Sequence, residues 1–365
     1  MKRPDFPDDT RLPVTLLTGF LGAGKTTLLN KVLRQEVGPK IAVIVNEFGE
    51  AGLDHDLIEA VDEEVVLMQS GCLCCSIRGD LSRTMQDLIE RKQSGRVDFN
   101  RVLIETTGLA DPAPILQTFM ADPFLTQYFY MDGVVTVVDA ATGQDTFDRQ
   151  FEAVSQVAMA DILILSKTDL VSDDTKNALQ KRLQSINPTT RILQADRGMV
   201  PPASLWGLSN PEKLVKSAPF SSSGISPEPP ATIDPFTNLT GLAPSPAPDK
   251  TLLSHDERIE SVSIVLDEPI PGGVFNHWLD TLILLRGPDI LRVKGIVYID
   301  DIPMPFAFHG VQHLFDPPVP LHDWPSEDRR SRIVVIARDL SRPELTRSLD
   351  MLRAYQSENP NAQSL

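Results

Sequence analysis

Cysteine and positive charge are both scarce in this sequence of 365 residues. The three cysteines, Cys72, Cys74 and Cys75, leave no others for a disulfide framework, so metal binding or redox chemistry is the natural interpretation. Only 34 Lys and Arg residues stand against 50 Asp and Glu, which gives a formal net charge of −16. Because nucleic acids and anionic membrane surfaces repel such a charge, we expect neither as a partner.

Long apolar runs are also missing. No run approaches the roughly 20 residues that a membrane-spanning helix needs. The opening residues, MKRPDFPDDT, lack the apolar core of a signal peptide, so we expect a cytoplasmic protein. At about 150 residues per domain the length suggests two domains, and a hydrophobic content of 41% is ample for their cores.

Short apolar runs alternate with helix-like stretches through the first 200 residues. The runs lie at 14–17, 41–45, 65–68, 102–104, 134–138 and 162–165. This alternation predicts an α/β domain with a doubly wound, mainly parallel sheet. Several runs end in a polar residue, namely Asn46, Glu105, Asp139 and Ser166. Ligands bind at the carboxyl ends of parallel strands, so we expect these residues to face one crevice.

The amino-acid composition changes in the second half of the sequence. Residues 201–254 are rich in Pro and Ser with little periodicity, which predicts a partly disordered linker. Beyond it, strand-like runs at 258–266, 291–299 and 332–338 accompany helix-like stretches at 274–285 and 342–355. We therefore divide the chain into a domain at 1–200, a linker, and a small α+β domain at 255–365.

The segment GFLGAGKTT matches the phosphate-binding pattern GxxxxGK[ST] and stands between an apolar run and a helix-like stretch. In that context backbone N–H groups and the helix N-terminus all point at one polyphosphate. Lys25 is expected to reach the β- and γ-phosphates and Thr26 to ligate Mg²⁺. A glycine turn with an exposed lysine is the alternative. The predicted nucleotide-binding residues here are Gly19, Gly22, Ala23, Gly24, Lys25, Thr26 and Thr27.

An acidic residue ends the fourth run, in the segment ETTGLADP. We expect Glu105 to hold Mg²⁺ through water and the Gly108 N–H to contact the γ-phosphate, so that loss of this phosphate releases the loop. Lys25, Thr26, Glu105 and Gly108 are therefore the predicted catalytic residues.

A later run ends in SKTD, close to the base-reading NKxD motif of GTPases. The carboxylate of Asp169 would accept hydrogen bonds from guanine, which offers donors that adenine lacks, so GTP is favoured over ATP. Ser166 and Lys167 are included in the predicted nucleotide site. Ser166 replaces the usual Asn and predicts weaker base discrimination. The alternative is a polar helix start capped by Ser or Asp.

The cysteines form the motif CLCC. Three thiolates on one loop suit Zn²⁺ or Cu(I) and leave one position of a tetrahedral ion open for transfer. Inert buried cysteines and a redox-sensing pair are the alternatives. Glu47, in the segment NEFGE, is a candidate fourth ligand, although a solvated acidic loop would look similar.

Taken in order, GFLGAGKTT, NEFGE, GCLCC, ETTGLADP and SKTD resemble the CobW-type family of metal-handling GTPases, which includes the zinc-regulated GTPase metalloprotein activators. The segments RVKG at 292–295 and HGVQH at 309–313 are similar to the C-terminal domain of that family. The resemblance implies a P-loop GTPase that binds a transition metal through Cys72, Cys74 and Cys75 and couples GTP turnover to metal transfer to a client metalloprotein. Zinc is the expected ion, with cobalt and iron open.

Two other functions stay open at this point. One is a nucleotide-dependent switch whose cysteines sense oxidants while the C-terminal domain docks a partner. The other is a phosphate-loop kinase, although nothing in the chain resembles an acceptor lid. The oligomeric state is also open.

Overall fold

The computed structural model describes residues 10–34, 40–45, 73–210, 258–300, 302–315, 318–321 and 329–358, with the backbone alone at 73–80 and 354–358. The predicted run at 65–68, Asn46, and residues 211–254 of the predicted linker lie outside these ranges. No helix within them is long and apolar enough to cross a membrane.

Six parallel strands form the first sheet in the described part of the chain, in the order β2-β3-β1-β4-β5-β6. They are β1 Leu12–Thr18, β2 Ile41–Val45, β3 Arg101–Glu105, β4 Phe129–Asp139, β5 Ile162–Ser166 and β6 Arg191–Gln194. The central strands are buried on both faces, which is why their sequences read as continuous apolar runs. Of these strands the sequence analysis missed β6, which lies at the sheet edge and is partly exposed.

Helices cover both faces of this sheet. They are α1 Lys25–Leu33, α2 Leu73–Gln93, α3 Ala113–Ala121, α4 Pro123–Tyr128, α5 Gly143–Arg149, α6 Phe151–Ala158 and α7 Asp173–Ile186. On one face α1 buries Leu28 and Leu29, and on the other α2 buries Met85 and Leu88. The α/β doubly wound fold expected from the alternating pattern is therefore confirmed.

The C-terminal part is a small α+β unit, also as expected. Its described strands form an antiparallel sheet in the order β10-β9-β8-β12-β7, with β11 paired to β9. The strands are β7 Ile259–Leu266, β8 Ile290–Val297, β9 Phe306–Val311, β10 Leu314–Phe315, β11 Val319–Pro320 and β12 Ser331–Arg338, and the helices are α8 Gly272–Arg286 and α9 Arg342–Glu358. Strands β9 to β11 had no counterpart in the sequence analysis.

The second sheet lies between two apolar layers. One face packs on α8 and α9, with Trp278 fully buried. From the other face Leu291, Val334 and Ile336 join the core of the first domain. This double burial explains why β12, near the middle of an antiparallel sheet, carries an unbroken apolar run instead of an alternating one.

Residues 201–210 pack on the first sheet. Leu205 and Trp206 are buried there, and Asp132 of β4 accepts hydrogen bonds from the backbone N–H groups of Gly207 and Ser209. The first ten residues of the predicted linker thus form part of the first domain in this structure.

Candidate functional site

The phosphate loop connects β1 to α1 at the carboxyl end of the first sheet. Gly19, Gly22 and Gly24 all have positive φ, of 138°, 72° and 94°. A Cβ on Gly19 would stand 2.3 Å from the carbonyl oxygen of Val137, so no larger residue fits at that turn. Gly24 is the N-cap of α1, and Ala23 is buried beneath the loop. Thr27 is exposed in the first turn of the helix.

Lys25 is 8% exposed and folds back over its own loop. Its Nζ donates to the carbonyl oxygen of Gly19 at 2.8 Å and to that of Phe20 at 3.3 Å. The ammonium group therefore lies inside the curve of the loop, where a cation attracts the negative charge of a polyphosphate.

The side-chain oxygen atoms of Thr26 and Glu105, which are expected to bind Mg²⁺, lie close together. The Thr26 hydroxyl donates to Oε1 of Glu105 at 3.0 Å, across 79 residues of sequence. Their meeting follows from the topology, because β3 lies beside β1 and Glu105 pairs with Leu17 just before the loop. A hydroxyl and a carboxylate are hard oxygen donors, so this pair fits Mg²⁺.

The loop after Glu105 touches the phosphate loop directly. A Cβ on Gly108 would lie 2.5 Å from the backbone nitrogen of Leu21, so the approach requires glycine. Nearby, the Thr107 hydroxyl oxygen is buried without a hydrogen-bond partner among the described residues. A buried orphan hydroxyl beside the phosphate loop is what a site built for a further polar group contains.

The ends of β4 and β5 complete the crevice, and here the structure refines the sequence interpretation. Ser166 is buried, and its hydroxyl lies 2.7 Å from the carbonyl oxygen of Ala23 and 3.2 Å from that of Val138. Its donor is thus committed to the phosphate loop and to β4. Lys167, at φ 52°, pairs with Asp139 at 2.6 Å.

Asp169 follows in a short 3₁₀ turn, Thr168–Leu170. It is exposed, and its carboxylate has no partner within the described chain. The sequence analysis also allowed that Ser166 or Asp169 caps a helix. Ser172 caps α7 instead, accepting a hydrogen bond from the Thr175 N–H.

The predicted metal ligands fall mostly outside the described residues. Glu47 and Cys72 lie outside them, whereas Cys74 and Cys75 form the first turn of α2, described by backbone alone. Among residues with described side chains, no cluster of three His, Cys, Asp or Glu residues is present. The backbone does show that the second half of the cysteine motif is helical.

A buried ionic cluster that the sequence analysis missed joins the two domains. Asp161, which directly precedes β5, contacts Arg292 and, at 2.6 Å, Lys294, both on β8. Burial alone raises the pKa of Asp161, but the two cations and the Val134 N–H outweigh it and hold the pKa well below its usual range. Burial lowers the pKa of Lys294 to about 8. RVKG was noted as a motif, yet no local pattern pairs it with a residue 131 positions away.

Comparisons with known protein families agree with this geometry. The model of the nucleotide-binding domain of CobW, HypB and UreG matches residues 13–194. The model of the C-terminal domain of the cobalamin synthesis protein CobW matches residues 259–353. The two matches cover both sheets of the structure.

Individual relatives are similar over nearly their whole length. The chain is 33% identical over 346 residues to the zinc chaperone YjiA of Escherichia coli, covering 94% of this chain and 99% of YjiA. It is 32% identical over 359 residues to zinc-regulated GTPase metalloprotein activator 1 of Schizosaccharomyces pombe, covering 91% and 83%. The crystal structure of Zn(II)-bound YjiA matches with a TM-score of 0.68 at 29% identity, covering 94% and 99%.

Proposed function

The chain belongs to the CobW/HypB/UreG family and is a GTPase, and from this membership we propose that it is a metallochaperone. In this proposal the protein binds zinc through the CLCC motif and couples GTP turnover to delivery of the ion to a client protein. The relatives named as zinc chaperones support zinc over cobalt or iron. Cys72, Cys74 and Cys75 are the proposed ligands, with Glu47 as the fourth.

The proposal also assigns a role to each residue of the nucleotide site. Lys25 and the backbone N–H groups of residues 19–27 bind the phosphates of GTP, while Thr26 and Glu105 hold Mg²⁺. When bound, Mg²⁺ neutralises charge on the β- and γ-phosphates during hydrolysis. Gly108 brings its backbone N–H to the γ-phosphate, and Asp169 accepts hydrogen bonds from guanine. Ser166 and Lys167 hold the loops that carry these groups.

One observation carries the proposed coupling. Helix α2, whose first turn contains Cys74 and Cys75, packs against α3, which directly follows the loop of Gly108. A rearrangement of that loop on loss of the γ-phosphate therefore reaches, through one helix contact, the helix that begins at the cysteines. Such a contact gives the two sites a physical means of changing each other's affinity.

Equilibrium zinc titrations test the coupling. With GDP and with a nonhydrolysable GTP analogue, we expect zinc affinities that differ by at least about five-fold, the lower end of typical allosteric coupling. Replacing all three cysteines by serine should abolish tight zinc binding, since the thiolates are the soft ligands. The His277→Ala control, an exposed histidine on α8, should bind zinc as the wild type does. Identical curves in the two nucleotide states would remove the coupling. Unchanged zinc binding by the serine variant would instead favour a redox switch.

A second prediction concerns base selectivity. In Asp169→Ala we expect affinity for GDP to fall about ten-fold or more, with little change in affinity for ADP, because a charge-assisted hydrogen bond to guanine is lost. The measurement is a competition titration with fluorescent nucleotide. Asp174→Ala, which removes an exposed carboxylate from the first turn of α7, is the control. Equal losses for both nucleotides would show that Asp169 does not read the base.

A further inference from the structure

Gln156 connects α6 to the loop expected to contact the γ-phosphate. Its side chain is buried, with the residue 1% exposed. The amide Nε2 donates to the carbonyl oxygens of Gly108 at 3.2 Å and Ala110 at 2.9 Å. One side-chain amide thus supplies both of its N–H groups to two backbone acceptors of the same loop.

The loop is enclosed between this amide and the phosphate loop. Gly108 abuts Leu21 on one side, closely enough to exclude a Cβ, and accepts from Gln156 on the other. Gln156 also lines a cavity of about 20 Å³, room for roughly one water, whose walls include Phe20, Leu21 and Asp139. The position of the Gly108 backbone therefore depends on where α6 holds Gln156.

Helix α6 is itself firmly anchored. The Thr136 hydroxyl of β4 donates to the carbonyl oxygen of Gln156 at 2.9 Å. The buried amide of Asn187 donates to the carbonyls of Val157 and Ala158 at the end of the helix and to that of Ala160 just beyond it. From the second domain, Arg292 donates to the carbonyl of Met159. Gln156 therefore projects from a rigid support, as a residue that sets a loop position must.

We propose that Gln156 is a positioning residue for GTP hydrolysis: its amide holds the carbonyls of Gly108 and Ala110 so that the Gly108 N–H meets the γ-phosphate. The inference rests on the proposed role of Gly108 and extends it to a residue on another element. GDP lacks the γ-phosphate, so its binding does not use the N–H of Gly108. Loss of the Gln156 amide should therefore affect the triphosphate state and leave GDP binding unchanged.

The test compares Gln156→Met with Ser155→Ala. Methionine keeps most of the volume but cannot donate, whereas the alanine variant removes a buried hydroxyl on the adjacent residue of α6, which has no hydrogen-bond partner among the described residues. For Gln156→Met we expect kcat to fall at least about ten-fold and affinity for a nonhydrolysable GTP analogue to fall, with the Kd for GDP within about two-fold of wild type. Ser155→Ala should retain most of the kcat. If the methionine variant fails to fold, Gln156→Asn, which keeps the amide but shortens its reach, should show the same split.

Three results would overturn the inference: a wild-type kcat in the soluble Gln156 variant, an equal loss in Ser155→Ala, or a parallel loss of GDP affinity. The assay contains no transition metal, so its outcome does not bear on zinc handling. If the inference fails, the variant Gly108→Ala shows whether the proposed role of Gly108 or that of Gln156 is wrong. If that variant binds the GTP analogue normally, the role of Gly108 itself is wrong. If it binds the analogue weakly but GDP normally, while Gln156→Met binds both normally, only the role of Gln156 is wrong.

Discussion

Lys25→Ala is expected to lower kcat/KM for GTP hydrolysis by about a hundred- to a thousand-fold. The loss of one preorganised donor from a site that stabilises developing charge typically has this effect. Lys25 is buried inside the curve of the phosphate loop, with its Nζ 2.8 Å from the carbonyl of Gly19. No neighbouring lysine on α1 replaces it, since Lys31 is exposed farther along the helix. Release of inorganic phosphate under single-turnover conditions measures the effect.

Lys31→Ala is the matched control for this variant. It removes the same charge from the same helix but should leave hydrolysis unchanged, because the side chain is exposed and the helix is held by its buried apolar face. Equal losses in the two variants would mean that Lys25 acts only through the net charge or stability of α1. Unimpaired hydrolysis by Lys25→Ala would contradict the nucleotide site as a whole.

Asp161→Asn should lower the free energy of unfolding by about 3–5 kcal/mol. The substitution preserves shape but leaves Arg292 and Lys294 buried without their counter-charge. Because those cations belong to the second domain, the variant should also weaken the contact between domains. Urea unfolding measures the stability, and limited proteolysis measures the opening of the interface.

Two comparisons identify the cause of that loss. Adding Lys294→Met to Asp161→Asn should recover part of the stability, because it removes one of the uncompensated charges. Asp98→Asn, at an exposed ion pair with Lys40, should leave unfolding nearly unchanged. If Asp161→Asn unfolds at the wild-type urea concentration, the cluster contributes no net stability.

The stability that Asp161 contributes should change with pH in a defined direction. The pKa of Asp161 is depressed in the folded protein, where the opposing effect of burial is outweighed by Arg292 and Lys294. Its contribution is therefore complete above the pKa of an unfolded aspartate and is lost as the pH falls below about 4. The stability difference between wild type and Asp161→Asn should be fully present near pH 5 and shrink in more acidic solution. A difference that grows in acid would contradict the assigned pairing.

Features carried by consecutive residues could be predicted from the sequence. The phosphate loop needs glycines, a lysine and a threonine at set spacing between a strand and a helix, and all of these lie in one stretch. That Glu105 lies near the phosphate loop could be predicted too, because parallel strands place their carboxyl ends at one edge of the sheet. Strands β9 to β11 were not predicted, because β10 and β11 have only two residues each and the apolar run of β9 is interrupted by His309 and Gly310.

The sequence by itself determined the doubly wound α/β fold, the P-loop motif and the membership of a GTPase family, because local spacing encodes each of them. Only the tertiary structure decided where three polar side chains act. Ser166 bonds to the phosphate loop, Gln156 to the loop of Gly108, and Asp161 to cations of the second domain. The physical reason is that a buried polar group is stabilised by whichever partner the fold brings within about 3 Å, and that partner can lie a hundred residues away in the chain.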